Sequence, residues 1–91
     1  MVRLDKYLKL SRLVKRRTVA QEMSEVGAVR INKKVSKPSA SVCDGDVIEI
    51  AYPRRVLTVK VIVSDEAQLR RNAAAYDVVE ERRVEEDERP W

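Results

Sequence analysis

Seven of the first seventeen residues are Arg or Lys (Arg3, Lys6, Lys9, Arg12, Lys15, Arg16 and Arg17), and only Asp5 offsets them. Leu4, Tyr7, Leu8, Leu13 and Val14 are interleaved with these cations. A solvated basic arm needs no ordered apolar positions, so this segment has to pack and stay positive at once. The outcome is a rigid cationic surface, which suits a polyanion and RNA above all.

Composition narrows the field. A chain of 91 residues supplies one hydrophobic core. Phe is absent and only four aromatics occur, so Val, Leu, Ile and Ala must build that core. There is no His, and Cys43 stands alone. Disulfides, thiolate zinc sites and His-dependent triads are thereby excluded, and neither metal, cofactor nor enzymatic activity is expected. No apolar run approaches the roughly 18–20 residues that cross a membrane, and no signal-peptide core follows the basic start. The expectation is a cytoplasmic, membrane-free and monomeric protein. Charge is segregated: residues 1–60 hold fourteen Lys/Arg against six Asp/Glu, whereas residues 61–91 hold five against nine. That pattern predicts a polyanion-facing body and an acidic end.

In a helix beginning near Arg3, Leu4, Tyr7 and Leu8 share one face, and Arg3, Lys6 and Lys9 follow on an adjacent arc. Ser11 ends it, and Leu13 and Val14 anchor a basic connection. A second helix is expected from Arg16 to Val26, with Val19, Met23 and Val26 on its apolar face and Ala20 at the margin. Gly27 stops it, since a residue without Cβ takes the left-handed conformation freely. The period then changes to two. Val29 and Ile31 read as a short strand, Asn32-Lys33-Lys34 as a turn, and Ser36 to Ser41 as an irregular connection. Asp44-Gly45-Asp46 is a tight turn before a strand with Val47, Ile48 and Ile50. Pro53-Arg54-Arg55 turns the chain into a long strand, Val56 to Val63, with Tyr52 expected opposite Val56. Ser64 is expected to cap a C-terminal helix from Ala67 to Ala75, packed through Leu69 and Ala73.

Arg3-Leu4-Asp5 with Leu8, Arg17 and Ala20, Gly27-x-Val29-x-Ile31-Asn32, and Val42-x-x-Gly45-Asp46-Val47-Ile48 form an ordered set. In this order and spacing they resemble the S-four-type RNA-binding domain, or alpha-L motif, over roughly residues 3–50. Arg16 stands where that family usually has a small helix-capping residue, and Asn32-Lys33 replaces its usual Asn-Gly turn. The resemblance implies an α+β fold of two N-terminal helices on a small, mostly antiparallel sheet, plus a C-terminal helix. It divides the chain into an RNA-binding domain (1–63), a helical extension packing on it (64–79) and a charged, flexible tail (80–91).

Ser11-Arg12-Leu13-Val14-Lys15-Arg16-Arg17-Thr18, the short length and the acidic tail are most similar to the RqcP-like ribosome-associated quality-control group, related to heat-shock protein fifteen. That similarity implies binding to obstructed large ribosomal subunits, with large-subunit rRNA and peptidyl-tRNA as partners. It also implies support for a NEMF-type factor that tails the stalled chain. A heat-shock-type factor that repositions or frees the tRNA is the alternative, and an adaptor working through its acidic tail is a further rival.

The expected RNA-binding residues are Arg3, Lys6, Lys9, Arg12, Lys15, Arg16 and Arg17, extended by Lys33 and Lys34. Arginines suit bidentate phosphate contacts and lysines act as point charges. Asp5 and Asp46 are expected to be structural, Tyr7 a core residue and Cys43 an apolar filler. If about 5 phosphates are neutralised, the logarithm of RNA affinity should fall against log salt with a slope of roughly −3.5. A titration of binding against salt concentration measures this, and a flat response would refute the electrostatic basis.

Overall fold

The structure, a computed structural model, describes residues 1–71, 74–85 and 87–91. The chain opens with β1 (Val2–Arg3), α1 (Leu4–Leu10) and α2 (Arg17–Glu25). Three short strands and one longer one follow: β2 (Val29–Ile31), β3 (Lys34–Val35), β4 (Ser41–Val42) and β5 (Val47–Tyr52). The chain continues through β6 (Arg55–Val61), α3 (Glu66–Arg70) and β7 (Tyr76–Arg83). This is the expected α+β architecture. A five-stranded antiparallel sheet has the order β3-β2-β5-β6-β7, and β1 pairs with β4 beside it.

Leu4, Tyr7 and Leu8 are fully buried and join Val29, Ile48, Ile50 and Val59 in a single core. The apolar stripe of α1 thus lies against the sheet, as its spacing predicts. Leu13 and Val14 anchor the connection between the helices. The first turn of α1 is fastened from outside, because Leu4 N–H donates to the Ala40 carbonyl and Asp5 N–H to the Pro38 carbonyl. Those bonds satisfy donors that a helix leaves open at its start.

The second helix packs Met23 against the core as expected, but the rest of the expected face turns outward. Ala20 and Ser24 are its buried residues, whereas Val19 and Val26 are exposed. Small side chains at i and i+4 let α2 lie close to α1, and the Ser24 hydroxyl is satisfied by the Ala20 carbonyl. Gly27 ends α2 at φ +81°. Gly27 N–H donates to the Ser24 carbonyl and Ala28 N–H to that of Met23, the paired bonds of a Schellman stop.

The β2–β3 connection is a two-residue hairpin. Asn32 and Lys33 both have positive φ (51° and 69°) between the paired residues Ile31 and Lys34. Lys33 therefore fits the turn that Asn-Gly would make, at a backbone cost of about 1–2 kcal/mol for a non-glycine residue. Asp46 supports this corner: it accepts from Asn32 Nδ2 and from the Cys43 N–H. In the β5–β6 hairpin Tyr52 pairs with Arg55, and Ala51 faces Val56, so the expected Tyr52–Val56 pairing is shifted by one residue.

The C-terminal third departs most from expectation. The last helix spans only Glu66–Arg70, with Asp65 rather than Ser64 as its cap. Ser64 instead turns inward and donates to Asp44. Ala73, expected on the packing edge, lies outside the described residues. Instead of continuing the helix, Tyr76–Arg83 pairs with β6 as an edge strand, with a bulge opposite Thr58/Val59. The open edge of β6 outweighs local helix propensity here, since a whole ladder of backbone hydrogen bonds depends on it. The final residues return to the body. Trp91 Nε1 donates to the Gly27 carbonyl at 3.1 Å, and the Arg30 guanidinium stacks 4.4 Å from its ring centre.

Tyr7 ties the two ends together, because its buried hydroxyl donates to the Ala75 carbonyl at 2.7 Å. Tyr7→Phe removes this bond while the carbonyl keeps the Ile62 N–H at 2.9 Å, so the expected cost is that of one hydrogen bond, about 1 kcal/mol. Thermal melting should show the midpoint fall by roughly 4–8 °C per kcal/mol in a domain of this size.

Candidate nucleic-acid interface

The cationic surface is organised around one buried acid. Asp5 sits in the first turn of α1, has no solvent exposure, and accepts five hydrogen bonds. Arg3 reaches it through Nε at 3.2 Å and Nη2 at 3.3 Å. Arg17, from the start of α2, donates through Nε at 3.3 Å. Gln21 Nε2 lies at 2.9 Å and the Lys6 N–H at 2.8 Å. Burial alone would raise the carboxyl's pKa. The bonds from Gln21, Arg3, Arg17 and the Lys6 amide together outweigh it and hold the group below its ordinary value.

Two guanidinium groups thus share one carboxylate, and a positive charge is left over at this corner. The Arg3 and Arg17 side chains remain 50% and 43% exposed. Arg17 uses only Nε on Asp5, so its terminal nitrogens are available for a phosphate fork. Asp5 therefore fixes two long side chains that would otherwise lose rotamer freedom on binding. Gln21 was not anticipated as part of this site. Its position four residues after Arg17, on the same helical face, is the one sequence signal for it.

The other expected residues fall into separate groups. Lys6 pairs with Glu66 of α3 and is only 30% exposed, so it serves the helix–helix contact. That pairing holds the Glu66 carboxyl below its usual range. Lys9, Arg12 and Lys15 are exposed and border a depression at the far end of α1, roughly 9 Å along the axis from Arg3. Arg12 holds a left-handed backbone at φ +67°, which costs about 1–2 kcal/mol for a residue with a Cβ. Arg16 is the exposed N-cap of α2, with no side-chain cap bond of its own. Lys33 and Lys34 are exposed at the tip of the β2–β3 hairpin. Lys37 joins Arg3 and Gln21 around a second depression of about 680 Å³ between α2 and the 35–39 segment.

What the cluster can do chemically is bind anions. Among the described residues no group of His, Cys, Asp or Glu could hold a metal ion, and no helix is long and apolar enough to cross a membrane. Tyr7 and Tyr52 are committed to the core side, with hydroxyls on the Ala75 and Leu13 carbonyls. Burial pushes both phenols above their usual pKa.

Comparison with known proteins adds independent evidence. The family model for the S4 domain matches residues 2–48. The RQC P-site tRNA stabilizing factor of Streptococcus pneumoniae is 40% identical over 87 residues, covering 94% of this chain and 99% of that protein. Its namesakes in Listeria monocytogenes and Bacillus subtilis are 38% and 36% identical, each over 93% of this chain and over 94% and 100% of their own lengths. Among solved structures, trimeric heat shock protein 15 of Vibrio cholerae matches with a TM-score of 0.72 at 30% identity. It covers 86% of this chain and 81% of its own.

The Asp5 bonds carry a pH signature. A carboxyl held below its ordinary value of 3.8 in the folded state stabilises the fold above that pH. The contribution is lost as pH falls from there through the lowered folded value. Urea unfolding of the wild type and Asp5→Asn should therefore differ more at pH 7 than at pH 3. Equal differences at both would remove the carboxylate from this role.

Proposed function

The chain belongs to the S4-domain family, and from that premise we propose that it is a non-catalytic RNA-binding factor of the large ribosomal subunit. It acts on obstructed subunits, where it contacts rRNA and peptidyl-tRNA and steadies the tRNA in the P site. In doing so it supports the tailing of the stalled chain by a NEMF-type factor. It works in the cytoplasm and as a monomer. The observation that carries this reading is the Arg3–Asp5–Arg17 cluster: two phosphate-binding forks preset on a rigid carboxylate within the residues that match the family.

The mechanism follows from the charge layout. Exposed cations stand at both ends of α1, about 9 Å apart along its axis, so one small domain can touch two RNA backbones. Each contact releases condensed counterions and positions the protein without reading base sequence. Specificity then comes from RNA shape, because the spacing of the cation groups is set by the helices rather than by flexible arms. Near-full-length similarity to P-site tRNA stabilizing factors favours stabilisation as the role. The likeness to heat shock protein 15 supports a second reading, in which the bound tRNA is repositioned or freed. Deleting the gene and measuring tail addition separates the two, since only the first requires that tailing falls.

Arg17→Glu and Arg3→Glu should each release the protein from large subunits in co-sedimentation, while circular dichroism shows the fold retained. Binding by both folded variants at the wild-type level would overturn the site.

A further inference from the structure

The depression at the C-terminal end of α1 is bounded from two sides. Lys9, Arg12 and Lys15 supply one wall, and Arg70 of α3 with the half-buried ring of Tyr76 supplies the other. It measures about 710 Å³, and among the described residues no carboxylate lines it. Four cations around one open groove without an interspersed acid raise the local positive potential and draw anions to it. Arg70 is 57% exposed, and its contact with Glu66 is a long 3.6 Å pair at i, i+4, too weak to neutralise it.

The groove also continues. Arg12 and Tyr76 border a second, smaller depression of about 290 Å³, which includes Tyr52. Arg55 lies over the Tyr52 ring at 4.4 Å, and Glu81, the carboxylate of this part, is paired with Arg55. With Tyr52 covered by Arg55, Tyr76 is the ring that both depressions share. Cations beside an aromatic face are the arrangement that holds single-stranded nucleic acid, with phosphates on the cations and a base on the ring. A duplex does not fit this chemistry, since its bases are not free to stack on side chains.

We propose that this groove is a second RNA site that takes a short single-stranded segment, with phosphates held by Lys9, Arg12, Lys15 and Arg70 and a base stacked on Tyr76. The inference rests on the RNA-binding reading above and extends it. Two of the site's five residues, Arg70 and Tyr76, lie outside residues 2–48 that match the family model. The short helix α3 and the start of β7 thus acquire a purpose beyond packing. The left-handed backbone of Arg12 places its cation where the two depressions meet.

The test uses the full chain and a fluorescent ten-nucleotide oligouridylate, with anisotropy read across a salt series. Lys15→Gln/Arg70→Gln should flatten the salt slope by about 1.4, two phosphate contacts at the single-strand coefficient. Tyr76→Leu should weaken binding by about tenfold, one stacked base. If Tyr76→Leu fails to fold by circular dichroism, the cation pair alone decides. Wild-type affinity and slope in the folded Lys15/Arg70 variant would overturn the groove. So would equal competition by polyglutamate of the same charge, which would mark a general anion surface. Arg17→Glu distinguishes the two levels: loss of subunit binding with oligouridylate binding kept supports separate sites. Retained subunit binding by the Arg3 and Arg17 variants would defeat the functional reading and leave the groove result standing on its own.

Discussion

A carboxylate removed from water must be compensated, and at Asp5 the compensation is what builds the cationic surface. An isolated buried charge would cost several kcal/mol. Here five donors from three segments converge on it: the chain before α1, α1 itself and α2. The same bonds that make the buried acid tolerable fix the angle between α1 and α2 and immobilise Arg3 and Arg17. Fold and cationic surface are therefore one device at this point. The close helix–helix approach through Ala20 and Ser24 is its geometric condition, since bulkier residues there would move Arg17 and Gln21 away from Asp5.

Two further cations occupy positions where the backbone would prefer glycine. Arg12 and Lys33 both adopt left-handed conformations, at the groove and at the hairpin tip respectively. Each costs stability, and each places a positive charge on an outward turn. Conformational strain at exposed cations, in a domain stabilised elsewhere by a mainly aliphatic core around Tyr7, fits a surface shaped for binding.

Much of the N-terminal half was legible because its signals are local. The i, i+3, i+4 spacing of Leu4, Tyr7 and Leu8, the stop at Gly27 and the Asp44-Gly45-Asp46 turn each depend on a few neighbouring residues. The α2 face was legible only in part: Met23 packs on the core, but Val19 and Val26 of the same periodic stripe are exposed and Ala20 and Ser24 are buried. What decided between them was how closely α1 needed to approach. The strand Tyr76–Arg83 was misread for a different reason. An edge strand paired on one side shows little alternation: Val78 and Val79 are both exposed beside the bulge. Its existence depends on the open edge of β6, some twenty residues earlier. Of the site, the identity of the cations was legible and their grouping was not. Lys6 turned out to pair with Glu66, while Gln21 and Lys37 gave no compositional sign of joining Arg3.

By itself, the sequence determined that this chain is a small aliphatic-cored α+β domain with a surplus of positive charge near its start. Residue types and their spacing suffice for that, because hydrophobic periodicity and net charge are additive along a chain. Tertiary structure alone decided which cations act together. Asp5 gathers Arg3 and Arg17, Glu66 takes Lys6, and the return of the chain through α3 and β7 sets Arg70 and Tyr76 opposite Lys15. Electrostatic and hydrogen-bonding energies fall steeply with distance, so partners far apart in sequence are chosen only when the fold brings them within a few ångströms.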